Sequence, residues 1–307
     1  MTKIAMVFPG QGSQSLGMLS ALAKEMYIIK ETFNEASEVL GYNLWLLIQN
    51  GTEKELNKTS KTQPALLTSS IAIFRAWKKH NGKMPIVMAG HSLGEYSALV
   101  CSDALEFKKA IKLVELRGEL MQLSTPNQGG AMYAIIGLDH KMIKNVCKNS
   151  SQGQIVSIAN FNSPNQTVIA GEKNAAKRAA DECKRSGAKF VLLLSVNVPS
   201  HCILMKPAAK KLAKILDNID FFEPKYPVIN NVDVKMETSA KNIRYALVRQ
   251  LYNPVRWTET IKLIAEQGVE CILEIGPGKV LSNLTKLIAC NLTAISINDP
   301  VSLKIVF

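Results

Sequence analysis

The chain has 307 residues, of which 47% are hydrophobic and 20% charged, enough for a large core with a second, smaller unit and too apolar for disorder. Its longest apolar runs, such as Val191–Val196, are far too short to cross a bilayer, which excludes a helical membrane protein. Thirty-seven Lys and Arg against 25 Asp and Glu leave a net charge of +12, which fits either an acidic partner or a coat of solvated lysines. No zinc-finger, basic-zipper or RNA-binding aromatic signature accompanies it, so nucleic acid is set aside.

In chain order, Lys3–Phe8 reads as a first strand running straight into Pro9-Gly10-Gln11-Gly12. It lacks the length and flanks of a secretion signal, so a cytosolic protein is expected. The six cysteines lie far apart, no pair has metal-ligand spacing, and buried free thiols suit a reducing compartment. Helices are predicted over Lys24–Leu40, Ala65–Lys79 and Glu106–Leu123, with a strand at Ile86–Ala89 between them. The breaker cluster Thr125-Pro126-Asn127-Gln128-Gly129-Gly130 then interrupts the pattern.

Beyond it the order is strand Ala131–Gly137, helix Asp139–Asn149, strands Ile155–Asn160 and Gln166–Ala170, helix Glu172–Ser186 and strand Phe190–Ser195. That β-α-β-β-α-β order is the ferredoxin-like arrangement. The main pattern resumes after Val198-Pro199 with helices Cys202–Leu216, Ala240–Leu251, Thr258–Gln267 and Val280–Ala289, and strands Val228–Asn230, Cys271–Ile275 and Thr293–Ile297. Alternating strands and helices predict a parallel sheet. The expected organisation is therefore a large α/β domain over residues 1–126 and 199–307, with a small ferredoxin-like subdomain over 127–198 inserted and a ligand cleft between them.

Gly90-His91-Ser92-Leu93-Gly94 follows an apolar run and precedes a predicted helix, Glu95–Cys101. A sharp strand-to-helix turn of this kind lifts a serine hydroxyl above the carboxyl edge of the sheet, as in α/β-hydrolase-like domains. The helix N-terminus also aims backbone N–H groups at a developing oxyanion. Ser92 is thus a candidate nucleophile, and it needs a base. His91 is adjacent, so its side chain diverges from that of Ser92; His80 reads as an exposed helix end and His140 as an exposed first-turn residue. His201, where the small unit hands back to the large one, remains, against the alternative of a first-turn histidine with no task.

Arg117 interrupts the apolar arc of its helix. At about 100° per residue from Phe107, Lys108, Lys112, Glu115, Glu119 and Gln122 share one polar stripe, while Arg117 falls among Leu113, Leu116, Leu120 and Met121. A guanidinium there cannot shed its charge. It meets either a distant internal carboxylate or the free carboxylate of a substrate, held bidentately. Two glycine-rich segments are turns rather than nucleotide sites: Gly10-Gln11-Gly12-Ser13-Gln14-Ser15 lacks a third glycine at Ser15, and Gly276-Pro277-Gly278-Lys279 lacks the Gly-Lys-Ser/Thr ending. The first can still offer an oxyanion donor, with Gln11 the candidate.

These residues resemble the malonyl-CoA:acyl carrier protein transacylases of dissociated fatty acid synthesis. The resemblance spans nearly the whole chain, through Phe8-Pro9-Gly10-Gln11-Gly12-Ser13-Gln14, Thr62-Gln63-Pro64-Ala65, Gly90-His91-Ser92-Leu93-Gly94-Glu95-Tyr96, Arg117, Asn160-Phe161-Asn162-Ser163-Pro164, Pro199-Ser200-His201, Gln250-Leu251-Tyr252-Asn253-Pro254-Val255 and Glu274-Ile275-Gly276-Pro277-Gly278. It implies Ser92 as nucleophile, His201 as base and acid, and Arg117 as the site of the malonyl carboxylate. It further implies the backbone N–H groups of Gln11 and Leu93 as the oxyanion hole, and the backbone carbonyl of Gln250 orienting His201 in place of an acid. The implied reaction moves malonyl from malonyl-CoA to the phosphopantetheine thiol of acyl carrier protein, with no cofactor or metal. An acidic carrier would give the positive charge a use, and nine Lys/Arg against four Asp/Glu between Gln128 and Asn197 place part of the expected docking surface there.

Overall fold

The computed structural model describes residues 2–127, 129–196 and 198–305. Gln128 and Asn197, which bound the basic stretch, lie outside the described residues. Among the described residues nine strands form two sheets. The larger holds β1 (Ile4–Phe8), β2 (Val87–Gly90), β7 (Val228–Ile229), β8 (Cys271–Ile275) and β9 (Thr293–Ile297) in the order β7-β2-β1-β8-β9, every pair parallel.

β1 and β2 are apolar along their whole length because both faces are covered. Ile4, Met6 and Phe8 enter one core cluster with Met88, while Ala5 and Val7 enter another with Val87 and Ala89. The strand order reverses about β1, so the crevice beyond the carboxyl ends of β1, β2 and β8 is where an open parallel sheet places its ligand.

The smaller sheet is antiparallel, with β3 (Gly130–Ile136), β4 (Val156–Ser163), β5 (Gln166–Glu172) and β6 (Phe190–Leu193) in the order β4-β5-β3-β6. That is the strand order of a ferredoxin-like sheet. Helices His140–Ser150 and Lys173–Arg185 cover one face, burying Ala131, Ile135 and Ile169. The period-two alternation turns Met132, Ala134, Val168 and Ala170 to the other face, towards the large unit. β4 also bonds to the large unit directly, with Phe161 N–H donating to the Val255 carbonyl (2.9 Å) and Val255 N–H to that of Ala159 (2.9 Å).

Several predicted bounds shift. The helix expected over Lys24–Leu40 is two helices, Ser20–Glu25 and Tyr27–Leu40, separated at Met26, whose φ of −130° and ψ of 105° are extended. The helix expected from Ala65 begins at Thr59 and carries Pro64 inside it. Leu44–Asn50, Glu53–Leu56 and Pro300–Ile305 are helices that sequence periodicity missed, being too short to establish a period. Glu115, placed on the polar stripe, is buried, with its carboxylate on Lys112 (2.8 Å) and Lys61 (3.9 Å).

Candidate active site

β2 ends at Gly90, and helix Gly94–Cys101 starts four residues later. Ser92 sits between them at φ 53°, the left-handed region that a non-glycine residue adopts only under constraint. The turn closes because Gly94 has no side chain: a Cβ there would lie 2.0 Å from the Phe8 carbonyl oxygen. Asn231, just past β7, secures the same turn. Its Oδ1 accepts from Ser92 N–H (2.7 Å) and its Nδ2 donates to the Gly90 carbonyl (2.7 Å).

His201 Nε2 lies 2.8 Å from Ser92 Oγ, and His201 Nδ1 lies 2.8 Å from the backbone oxygen of Gln250. A carbonyl only accepts, so Nδ1 carries the ring proton and Nε2 presents its lone pair to the serine hydroxyl. His201 is itself at φ 60° and only 3% exposed. Burial, followed by the positive charge of Arg117, lowers its pKa to about 3, so the imidazole is neutral at pH 7.

Arg117 is 1% exposed on helix Phe107–Leu123. Its Nη1 donates to Gln63 Oε1 (2.8 Å), and its Nη2 to Gln250 Oε1 (3.0 Å) and Ser92 Oγ (3.3 Å). Among the described residues no carboxylate is ion-paired with it. The guanidinium is held by neutral amides, against the Tyr96 ring (5.4 Å to the centroid). Helices Thr59–Lys79 and Phe107–Leu123 approach closely beside it, since a Cβ on Gly118 would stand 2.6 Å from Ser60 Cα. That approach brings Gln63 within reach of Arg117.

Gln250 closes the arrangement. Its side-chain Nε2 donates to Glu95 Oε2 (2.8 Å) and to the Ser92 carbonyl (3.0 Å), while its Oε1 accepts from Arg117. The chemistry of these partners fixes the amide's orientation, because a guanidinium only donates and a carboxylate only accepts. Ser92, His201, Arg117, Gln11 and Leu93 all line one cavity of about 230 Å³ between the two sheets. Its remaining wall includes Met121, Met132, Ala134, Val168 and Leu284. Gln250 stands behind this wall.

The other histidines are engaged elsewhere. His91 Nε2 lies 2.9 Å from Asn162 Oδ1, and its ring packs edge-on against Trp257. His80 is exposed at the end of helix Thr59–Lys79. His140 is half-buried rather than exposed, because its ring lies on Phe161 and its Nε2 is 3.2 Å from the Ser163 carbonyl. The Gly276–Lys279 turn leads into helix Val280–Ile288, whose first N–H groups are taken by the buried Glu274 carboxylate (2.9 Å to Leu281, 2.8 Å to Ser282). An internal acid thus occupies the place a phosphate would need.

Sequence reasoning missed Asn231, and it gave Glu95 and Gln63 places in motifs but no role. Starting the second helix at Ala65, beyond Pro64, left Gln63 outside it; read as part of that helix, a glutamine among apolar neighbours would have stood out. Asn231 has no comparable signal, since an asparagine after a short strand reads as an ordinary turn.

Residues 5–287 match the acyl transferase domain family. The chain is 60% identical to the malonyl CoA-acyl carrier protein transacylase of Haemophilus influenzae over 307 residues, covering 100% of this chain and 98% of that one. It is 44% identical to the Bacillus subtilis protein of the same name, over 99% and 96% of the two chains. Among solved structures it is similar to an acyl carrier protein S-malonyltransferase from Vibrio cholerae, with a TM-score of 0.96, 56% identity and 100% of each chain covered. It is also similar to a malonyl-transacylase in complex with its type II PKS acyl-carrier protein, with a TM-score of 0.98, 62% identity and 99% of each chain covered. The family match over residues 5–287, the identity across the whole chain and a fold shared end to end with these proteins place the chain in the malonyl CoA-acyl carrier protein transacylase family.

Proposed function

We propose that Ser92 is the nucleophile of a ping-pong transfer of malonyl from malonyl-CoA to the phosphopantetheine thiol of an acyl carrier protein, serving fatty acid synthesis. The observation that carries this reading is a single hydroxyl with His201 Nε2 at 2.8 Å and Arg117 Nη2 at 3.3 Å. His201 takes the Ser92 proton as Oγ attacks the thioester carbonyl. The carbon–sulfur bond breaks, the proton passes from His201 to the CoA sulfur, and a malonyl-serine ester remains. The carrier thiol then gives its proton to His201 and attacks the ester, and the proton returns to Ser92.

Arg117 binds the malonyl carboxylate. Two amides hold the guanidinium and no carboxylate among the described residues bonds to it directly, so the substrate supplies one. The backbone N–H groups of Gln11 and Leu93 stabilise the oxyanion; losing one such donor typically costs about 2.7–4 kcal/mol of barrier. The Gln250 carbonyl keeps His201 in the tautomer that accepts the serine proton. The cycle calls on no cofactor, with malonyl-CoA and CoA entering and leaving as substrate and product.

The carrier docks in part on the basic helices of the small sheet, around Lys141, Lys144, Lys148 and Lys173 on helices His140–Ser150 and Lys173–Arg185. Lys177 and Arg185 are already paired with Asp181 (2.8 Å) and Glu182 (2.6 Å). We place the protein in the cytosol, where its six free cysteines stay reduced; no helix among the described residues is long and apolar enough to cross a membrane.

Mass spectrometry of the protein mixed with malonyl-CoA tests the scheme directly. A malonyl adduct on the peptide bearing Ser92, discharged by a holo-carrier protein, is the expected result. An adduct elsewhere, or none, overturns it.

A further inference from the structure

Glu95 lies three residues beyond Ser92, in the first turn of the elbow helix, and is 2% exposed. A carboxylate so placed is expensive unless it is paired. Among the described residues no cation touches it directly. Its Oε2 accepts from Gln250 Nε2 (2.8 Å) and from Asn231 N–H (2.9 Å). The same Gln250 amide accepts at its oxygen from Arg117 Nη2 (3.0 Å). A buried anion and a buried cation therefore face each other across one side-chain amide, whose dipole is aligned with both.

We infer that Glu95 is the internal counter-charge of Arg117, acting through the Gln250 side chain, and that it sets how tightly the guanidinium holds a substrate carboxylate. This rests on Arg117 being the carboxylate site. Glu95 touches no substrate and is a positioning residue. Its charge stabilises the empty site, in which Arg117 has no ion pair among the described residues, and opposes the arriving malonyl carboxylate. The arrangement lets a bare guanidinium wait in a low-dielectric site without binding its substrate too tightly to turn over.

The charged and titratable groups around Glu95 are few. Arg117 lies across Gln250, Asp233 follows β7 in a pair with Arg249, Tyr96 is the next residue, and His201 sits on the Gln250 carbonyl. Burial pushes the Glu95 carboxyl up to about 7, opposed by its bonds to Gln250 and Asn231 and by Arg117. The counter-charge consequently weakens on acidification through neutrality, and the neutral His201 does not change charge over that range.

Glu95→Gln separates charge from hydrogen bonding, since its amide oxygen can still accept from Gln250 and Asn231. Binding of malonyl-CoA and of CoA is measured by titration calorimetry in a Ser92→Ala background, where no chemistry occurs. CoA lacks the carboxylate and shares the rest of the ligand, so the ratio of the two dissociation constants isolates the Arg117 contact. Glu95→Gln is expected to tighten malonyl-CoA by about threefold to tenfold and leave CoA unchanged, and Arg117→Ala should abolish that gain. An unchanged or weakened ratio overturns the inference, as does a gain that survives Arg117→Ala. If Arg117→Ala alone leaves the ratio untouched, the carboxylate site itself is misassigned and both readings fall. Should Glu95→Gln not fold, the ratio in the Ser92→Ala protein decides between pH 5.5 and 8.5. Malonyl-CoA preference rising as pH falls through about 7 supports the inference, and a flat profile overturns it.

Discussion

Arg117 Nη2 lies 3.3 Å from Ser92 Oγ, so the buried cation and the serine hydroxyl occupy one hydrogen-bonding shell. A three-carbon diacid has a carboxylate and a carbonyl carbon separated by a single methylene, which matches so short a spacing. The guanidinium can therefore hold one end of the acyl group while the hydroxyl meets the other.

Arg117→Ala is expected to lower kcat/KM for malonyl-CoA by about a hundredfold or more, corresponding to the roughly 3–5 kcal/mol lost when one partner of a buried charge pair is removed. Loading with acetyl-CoA, which offers no carboxylate, should fall far less. Steady-state assays with both thioesters check this, and a parallel loss would remove the carboxylate role.

The pH behaviour of His201 follows from its surroundings. Burial and then the Arg117 charge hold its pKa at about 3, so Ser92 acylation should show no acid limb near the ordinary imidazole value of about 6.5. Removing a cation favours the protonated ring. In Arg117→Ala the limb should thus move upward. The rate of Ser92 labelling by a fluorophosphonate, followed from pH 4 to 9 in both proteins, provides the measurement. An identical profile in the two would show that the arginine does not tune the base.

Asn231→Ala removes the bonds that hold Ser92 N–H and the Gly90 carbonyl at the strained elbow. Stability should drop by about 1–3 kcal/mol, the usual consequence of leaving buried backbone groups unpaired. Single-turnover acylation should slow by about tenfold as the hydroxyl loses its alignment. Thermal melts and rapid-quench acylation read the two effects separately. An unchanged acylation rate would reduce Asn231 to a structural residue.

Carrier loading should weaken as ionic strength rises, while malonyl-CoA-dependent acylation of Ser92 changes less, because in the proposed docking only the protein–protein step brings an acidic partner to the lysine-rich helices. Charge reversal at Lys144 and Lys148 should raise the KM for the carrier severalfold without altering that for malonyl-CoA. If neither salt nor reversal affects the carrier, docking lies elsewhere.

Much of this site is local, and local features are legible in a sequence. The elbow around Ser92 is defined by glycines two residues before and two residues after it, and Arg117 stands out because a helix of known period converts position into direction. The two sheets and the ferredoxin-like order follow from period and punctuation along the chain in the same way. What tertiary structure alone decided is which groups answer one another across the chain. Gln63, Gln250 and Arg117 are 54 and 133 residues apart in their bonded pairs, and Asn231 meets Ser92 across 139. No periodicity encodes such pairings, because they arise from the crossing of two helices and from the order in which parallel strands assemble. The sequence announces a stranded cation; only the packed chain shows that neutral amides, rather than a carboxylate among the described residues, bond to it.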